Sequence, residues 1–215
     1  MIATGVTDFG LFCAAVLLLN ITPGPDTAYI VGRSLAQGRA AGLMSALGIS
    51  AGCCVHAVLS AFGLTAILAA SATAFTVIKL AGGAYLIYLG LRMVLTRAKP
   101  AVADRAPANP PPQVRLRRIF LQAMATNLLN PKVILFFLSF FPQFVRADAA
   151  DKTLSFLLLG VAFVLISTIW NSGTALAAGV LAAGAGRNPR VKTWLERGVG
   201  AAFVALGMRL AMARP

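Results

Sequence analysis

Asn20-Ile21-Thr22-Pro23-Gly24-Pro25-Asp26 breaks an apolar run that begins near Phe9 and ends at Arg33. Two prolines and a glycine cannot continue a helix. Each proline lacks a backbone N–H, and its ring clashes with the carbonyl four residues back, here Leu19 and Ile21. Thr22, ahead of Pro23, is pushed out of the α region, and Gly24 is free to leave it. In a bilayer, broken backbone is tolerated only where protein or a water-filled cavity satisfies it. The stretch therefore places a polar site inside a hydrophobic segment, with an acid, Asp26, just past the break.

The rest of the chain reads as the housing of that site. Of its 215 residues 59% are hydrophobic and 12% charged, against about 25% charged in an ordinary soluble domain. Apolar stretches of about 20 residues recur, as in a polytopic membrane protein. The net charge of +13 does not imply nucleic acid, because the bases cluster between the apolar runs and leave no solvated basic face. Cys13, Cys53 and Cys54 lie within apolar runs and read as small core residues. No CxxC pair or zinc spacing occurs, so neither metal nor cofactor is expected. A cleavable signal peptide is not expected either, since Asp8 precedes the apolar run and no basic stretch does.

Six membrane segments are expected: about Thr7–Gly32, Ala40–Leu64, Ala72–Val94, Ile119–Val145, Leu154–Ala178 and Trp194–Ala213. A proline-rich linker, 96–114, separates a first half, 1–95, from a second, 115–215. Arg33 and Arg39 fall in the first loop. Arg92, Arg97, Lys99, Arg105, Arg115, Arg117 and Arg118 fall in the third, and Arg187, Arg190, Lys192 and Arg197 in the fifth. Only Arg146, Lys152, Arg209 and Arg214 lie on the other side. By the positive-inside rule the odd loops are cytoplasmic and both termini face outward.

The two halves then have opposite topology. The fourth segment is also interrupted, at Asn127-Leu128-Leu129-Asn130-Pro131-Lys132. Each break lies roughly 13 to 15 residues into its segment, about 20 Å deep and near the middle of the bilayer. Paired interruptions in corresponding positions point to a transporter binding site. The expected fold is an all-α integral membrane protein: six transmembrane helices as two inverted three-helix repeats, the first and fourth interrupted.

Asn130 suits a helix cap and Pro131 the first helical position, so a new half-helix should start there. Lys132 in its first turn opposes the dipole and calls for an anion, either Asp26 or a substrate carboxylate. Asp26 is the only acid within a predicted segment beyond its end zones, which makes it a functional candidate and suits proton binding and release. A fixed Asp26–Lys132 ion pair is the structural alternative. Asn20, Thr22 and Asn127 flank the breaks and could bind freed backbone or substrate. Lys79 is expected to snorkel to the interface, and His56, the one histidine, to bond a neighbour, with proton shuttling as the alternative. Tyr85 and Tyr88 either line a cavity or pack. Asn171 reads as an interhelical hydrogen-bonding group. The spacings Gly38-x3-Gly42 and Gly48-x3-Gly52 fit close helix approach within the chain or in a homodimer. No GxSxG, HExxH or P-loop motif is present, so no enzyme is expected and transport would need a gradient.

These residues resemble those of the LysE/RhtB family of bacterial amino-acid exporters. The resemblance spans nearly the whole chain. It rests on Thr-Pro-Gly-Pro-Asp (22–26), Arg-Ser-Leu-Ala-Gln-Gly-Arg-Ala-Ala-Gly (33–42) and Lys-Leu-Ala-Gly-Gly-Ala-Tyr-Leu-Ile-Tyr-Leu-Gly (79–90). It continues in Asn-Leu-Leu-Asn-Pro-Lys (127–132) and Phe-Phe-Leu-Ser-Phe-Phe-Pro-Gln-Phe (136–144). It implies a cytoplasmic-membrane exporter of amino acids or close derivatives, coupled to protons. The expected substrate site is Asn20, Thr22, Pro23, Gly24, Pro25, Asp26, Asn127, Asn130, Pro131 and Lys132, with Asp26 carrying the proton. A transporter of metal cations, a lipid scramblase or flippase, and an intramembrane enzyme are the rival readings.

Overall fold

A computed structural model of the chain describes residues 5–70, 114–146 and 148–181, with isolated positions between 73 and 91. The linker, the sixth expected segment and most of the third, Lys79 and Tyr85 included, lie outside the described residues. Among those described, structure is helical apart from one antiparallel backbone pairing of Val6 with Val145.

The first segment is two helices, α1 (Phe9–Ile21) and α2 (Pro25–Gln37), bent by 53° at the predicted break. Thr22 is extended, and its N–H closes α1 on the Leu18 carbonyl at 3.1 Å. Pro25 opens α2, where its missing N–H costs nothing. Gly38, with φ of 82°, ends α2 in a conformation that favours glycine. A long helix, α3 (Arg39–Ala70), follows at once.

The fourth segment mirrors this. Helix α4 (Leu116–Leu128) breaks at Leu129-Asn130, and α5 (Pro131–Leu135) continues through a π turn (Phe136–Phe140) and a 3-10 turn (Phe141–Phe144). The bend is 49°. Pro142 explains the irregular end: it gives no N–H to the Leu138 carbonyl, and its ring forces the helix there to widen and then tighten. Helix α6 (Lys152–Leu181) is continuous. By length and composition α3 and α6 can each span a membrane, with mean hydropathy of 1.8 and 2.2. The count rises to four if each bent pair is one span.

The bent pairs lie antiparallel. At one end the Thr7 N–H meets the Phe144 carbonyl at 2.9 Å, and the Arg146 N–H meets the Gly5 carbonyl at 2.8 Å. At the other, the Gln37 carboxamide pairs with the Val114 backbone. Exposed Arg39, Arg115, Arg117 and Arg118 surround this second end. The first end is filled by phenylalanines. Phe12 meets Phe141 and Phe144 edge-on at 5.4 and 5.3 Å, and Phe136, Phe137 and Phe163 complete the cluster, all fully buried.

Helix α3 packs on α2, α4 and α6 through its small residues. A Cβ on Gly42 would strike Ser34 of α2, and one on Gly48 would strike the Phe120 carbonyl of α4. Gly42, Gly48 and Gly52 thus serve close contacts within the chain, while no described atom lies within 4 Å of a Cβ at Gly38.

Candidate functional site

The two breaks meet. Asp26 stands in the first turn of α2 and Asn127 in the last turn of α4, and the Asn127 Nδ2 donates to Asp26 Oδ2 at 2.7 Å. Asn127, fully buried, is the hub of the site. Its Oδ1 accepts a weak bond from Cys53 Sγ at 3.7 Å, and its backbone carbonyl lies 3.3 Å from His56 Nε2. His56 also stacks on Phe137, so this histidine holds a neighbour, as the sequence suggested. Gly52 makes room for the hub: a Cβ there would lie 2.5 Å from Asn127 Oδ1.

Lys132 answers the sequence differently. No ion pair joins it to Asp26. Its Nζ donates to the carbonyls of Leu19 and Thr22, each at 2.9 Å. These are orphan carbonyls at the C-terminal end of α1, where a cation is favoured. The anion that its own helix dipole calls for is replaced by the negative end of another helix. Thr22 adds its own Oγ1 bond to Leu18 O at 2.7 Å, so it binds freed backbone in this conformation. Gly24 has φ of −163°, which any residue adopts; its smallness matters, because a Cβ would sit 3.2 Å from Lys132 Nζ.

The geometry is therefore crossed. Downstream half-helix α5 sends its base to the end of α1, and downstream half-helix α2 presents its acid to the end of α4. Asn130 caps α5, its Oδ1 accepting from the Lys132 N–H at 3.1 Å. Its Nδ2 lies near Asp26, and among the described residues neither it nor the buried Asp26 Oδ1 makes a hydrogen bond of good geometry. Asn20 reaches across to α6, its Nδ2 donating to Ser167 Oγ at 3.0 Å as well as to Val16 O at 2.8 Å. Pro23, Pro25 and Pro131 are exposed and make the breaks without facing the site.

Between these groups lies a cavity of about 20 Å³, lined by Asn20, Asp26, Asn127, Lys132, Ser167 and Asn171 among others. That volume admits about one water, whereas ligand pockets run to about 300–1,000 Å³. The described conformation is closed around its polar centre. Among the described residues no three His, Cys, Asp or Glu side chains converge as metal ligands would.

Three residues beside the site were not singled out from sequence. Tyr29 and Arg33, one and two turns along α2 from Asp26, meet Gln122 of α4. Arg33 Nη2 donates to Gln122 Oε1 at 2.9 Å and the Tyr29 hydroxyl to the same atom at 3.1 Å. Spacing of three and seven residues from Asp26 puts all three on one helix face, a signal the sequence held. Tyr88 is exposed.

Fold and site define a helical membrane protein with a closed polar centre between two broken helices. The chain belongs to the LysE type translocator family, whose profile matches residues 17–214. It is 37% identical to an uncharacterized membrane protein of Pseudomonas aeruginosa over 209 residues, covering 97% of each chain. It is 34% identical to an uncharacterized membrane protein of Vibrio cholerae, covering 94% of this chain and 96% of that one. It is 32% identical to the homoserine/homoserine lactone efflux protein of Salmonella typhimurium, covering 92% of each. No solved structure matches it. Family membership makes the chain a membrane translocator and supports efflux as its activity.

Proposed function

We propose that the protein exports amino acids or close derivatives across the bacterial cytoplasmic membrane, by alternating access driven by the proton gradient. The observation that carries this reading is the pairing of an acid and a base that share one closed cavity without touching each other. The acid offers an acceptor, Asp26 Oδ1, and near it stands a donor, Asn130 Nδ2, both buried and neither in a hydrogen bond of good geometry among the described residues. Buried polar atoms left unpaired are uncommon and mark places where a partner arrives. A zwitterion supplies both partners at once: its ammonium to Asp26, its carboxylate to Asn130 and Lys132. The efflux protein of Salmonella, named for homoserine and its lactone, supports a cargo of this size and chemistry.

In this reading six helices form two inverted halves, 1–95 and 115–215, joined by the 96–114 linker, with odd loops in the cytoplasm and both termini outside. The antiparallel bent pairs and the arginine-rich end support that arrangement. A proton arriving from outside competes with the ammonium for Asp26 and releases substrate outward. Cells expressing the protein and fed dipeptides should expel one or a few amino acids in a protonophore-sensitive way. Asp26→Asn, close in shape and still able to accept from Asn127, should reach the membrane at normal levels and lose that export. Gradient-driven export by this variant at the parental rate would end the assignment of Asp26. Silence of both proteins would end the amino-acid reading and move the test to lipids and metal cations.

A further inference from the structure

Two packed seams flank the small cavity at Asp26, and they differ in kind. Toward Gly5 and Arg146 stands the phenylalanine cluster, fully buried and interlocked. Toward the arginine-rich end stands the seam between α2 and α4, and it is polar. Gln122 Oε1, a neutral acceptor, takes bonds from both Arg33 and Tyr29. The Tyr29 hydroxyl is shared further, 3.2 Å from Arg33 Nε and 3.3 Å from the Ile119 carbonyl. The guanidinium also lies over the Tyr29 ring, 5.2 Å from its centre. Beyond the seam a hollow of about 320 Å³ opens between Gln37, Ala40, Val114 and Arg115.

Arg33 is the charged member of this seam. Among the described residues no carboxylate pairs with it. A guanidinium carries five N–H donors in a planar fork shaped for a carboxylate. The neutral amide of Gln122 occupies that fork with one oxygen, whereas a carboxylate brings a full negative charge and two oxygens that match the fork bidentately. A solute with a carboxylate arriving from the wide hollow therefore meets a better ligand's place held by a weaker one.

We propose that Tyr29, Arg33 and Gln122 are the gate on the arginine-rich side of the cavity, and that Arg33 is the first binding site for the cargo's carboxylate. The carboxylate displaces Gln122 from the guanidinium, which parts α2 from α4 and opens the way to Asp26. The carboxylate half of this rests on the amino-acid reading above; the gate half does not.

Two experiments separate them. The first uses Cys53, buried against Asn127 in the closed cavity, as the reporter in a chain carrying Cys13→Ser and Cys54→Ser. Inside-out vesicles are treated with a membrane-impermeant maleimide. Gln122→Glu gives Arg33 an acid where it now has an amide, so Cys53 labelling should fall at least fivefold. Arg33→Gln added to that variant should bring labelling back to at least the starting rate. Labelling unmoved by Gln122→Glu, or a loss that Arg33→Gln does not reverse, would overturn the gate. The second compares export of homoserine with that of homoserine lactone, which has no free carboxylate. Arg33→Gln should lower the homoserine-to-lactone export ratio at least fivefold. An unchanged ratio overturns carboxylate capture while leaving the amino-acid reading standing. A parent chain that exports neither compound nor any amino acid overturns the capture and that reading together, whatever Cys53 reports.

Discussion

Gly52→Ala is the sharpest test of the packing that holds the polar centre together. The added Cβ would lie 2.5 Å from Asn127 Oδ1, 2.9 Å from its Cβ and 3.0 Å from its Cγ. Asn127 has no room to yield, because its amide is tied to Asp26 and Cys53 and its carbonyl to His56. Helices α3 and α4 must therefore separate by several tenths of an ångström. Overpacking of this kind costs about 1–3 kcal/mol. Disturbing the Asn127 bond to a carboxylate adds up to about 1.5–3 kcal/mol. Alanine returns up to about 1 kcal/mol over glycine inside a helix. The net expected loss is roughly 2–4 kcal/mol. Gly63→Ala, in the same helix, and Gly173→Ala, in α6, are the controls, since among the described residues nothing lies within 4 Å of a Cβ at either place. They should be neutral or slightly stabilising. The assay is unfolding in mixed detergent and SDS micelles followed by far-UV circular dichroism. If Gly52→Ala unfolds at the same SDS fraction as Gly63→Ala, the close approach of α3 to Asn127 is wrong.

Further expectations concern the packed seams and the crossed base. Lys132→Met keeps the side chain's length and removes two bonds to the end of α1, each about 1.5–3 kcal/mol, while relieving the cost of a buried charge. The same unfolding assay should report a net loss of roughly 1–3 kcal/mol, and a gain in stability would mean that Lys132 does not close α1. Phe141→Ala empties the centre of the phenylalanine cluster, where the ring is fully buried and 4.5 Å from that of Phe137. It should cost about 3–5 kcal/mol; a change below the error of the measurement would place that cluster outside the core.

Both breaks were legible because proline and glycine act locally. The bend at Pro23-Gly24-Pro25, the opening of α2 at Pro25, and the Asn130 cap with Pro131 all follow from missing N–H groups and steric clashes within four residues. The length of α3 and α6 followed from uninterrupted apolar runs. What Lys132 binds was not legible. The sequence said that its own dipole is unfavourable and that a negative partner is needed, and an acid at Asp26 was the obvious candidate. The partner is a pair of backbone carbonyls more than a hundred residues away, and carbonyls carry no signature in a sequence. Asn127 as hub was equally hidden, since its three partners come from α2 and α3. The irregular turns before Phe144 could have been read from Pro142, whose effect on the Leu138 carbonyl is as local as that of Pro23. Arg33 was counted only as a topology marker because its register with Asp26 gains meaning once α4 is laid beside α2.

The crossed bonds also bear on why such a site does not leak. Each one joins the two halves of the chain, so parting the halves breaks them together. Three bonds to charged groups are at stake: Asn127 to Asp26, and Lys132 to Leu19 and to Thr22. At about 1.5–3 kcal/mol each they amount to roughly 5–9 kcal/mol. Parting without a replacement also leaves a carboxylate and an ammonium unpaired in low dielectric, at several kcal/mol per ion. Since about 1.4 kcal/mol is a factor of ten in population, the proposed alternating-access reading expects the empty protein to open rarely. A zwitterion bridging Asp26 and Lys132 supplies both missing partners in one molecule, and a proton on Asp26 removes one of the two charges. On the export reading proposed above, the separation of the acid from the base is what would make opening conditional on cargo or proton. Had Asp26 and Lys132 been paired directly, their mutual attraction would compete with the cargo for both ends.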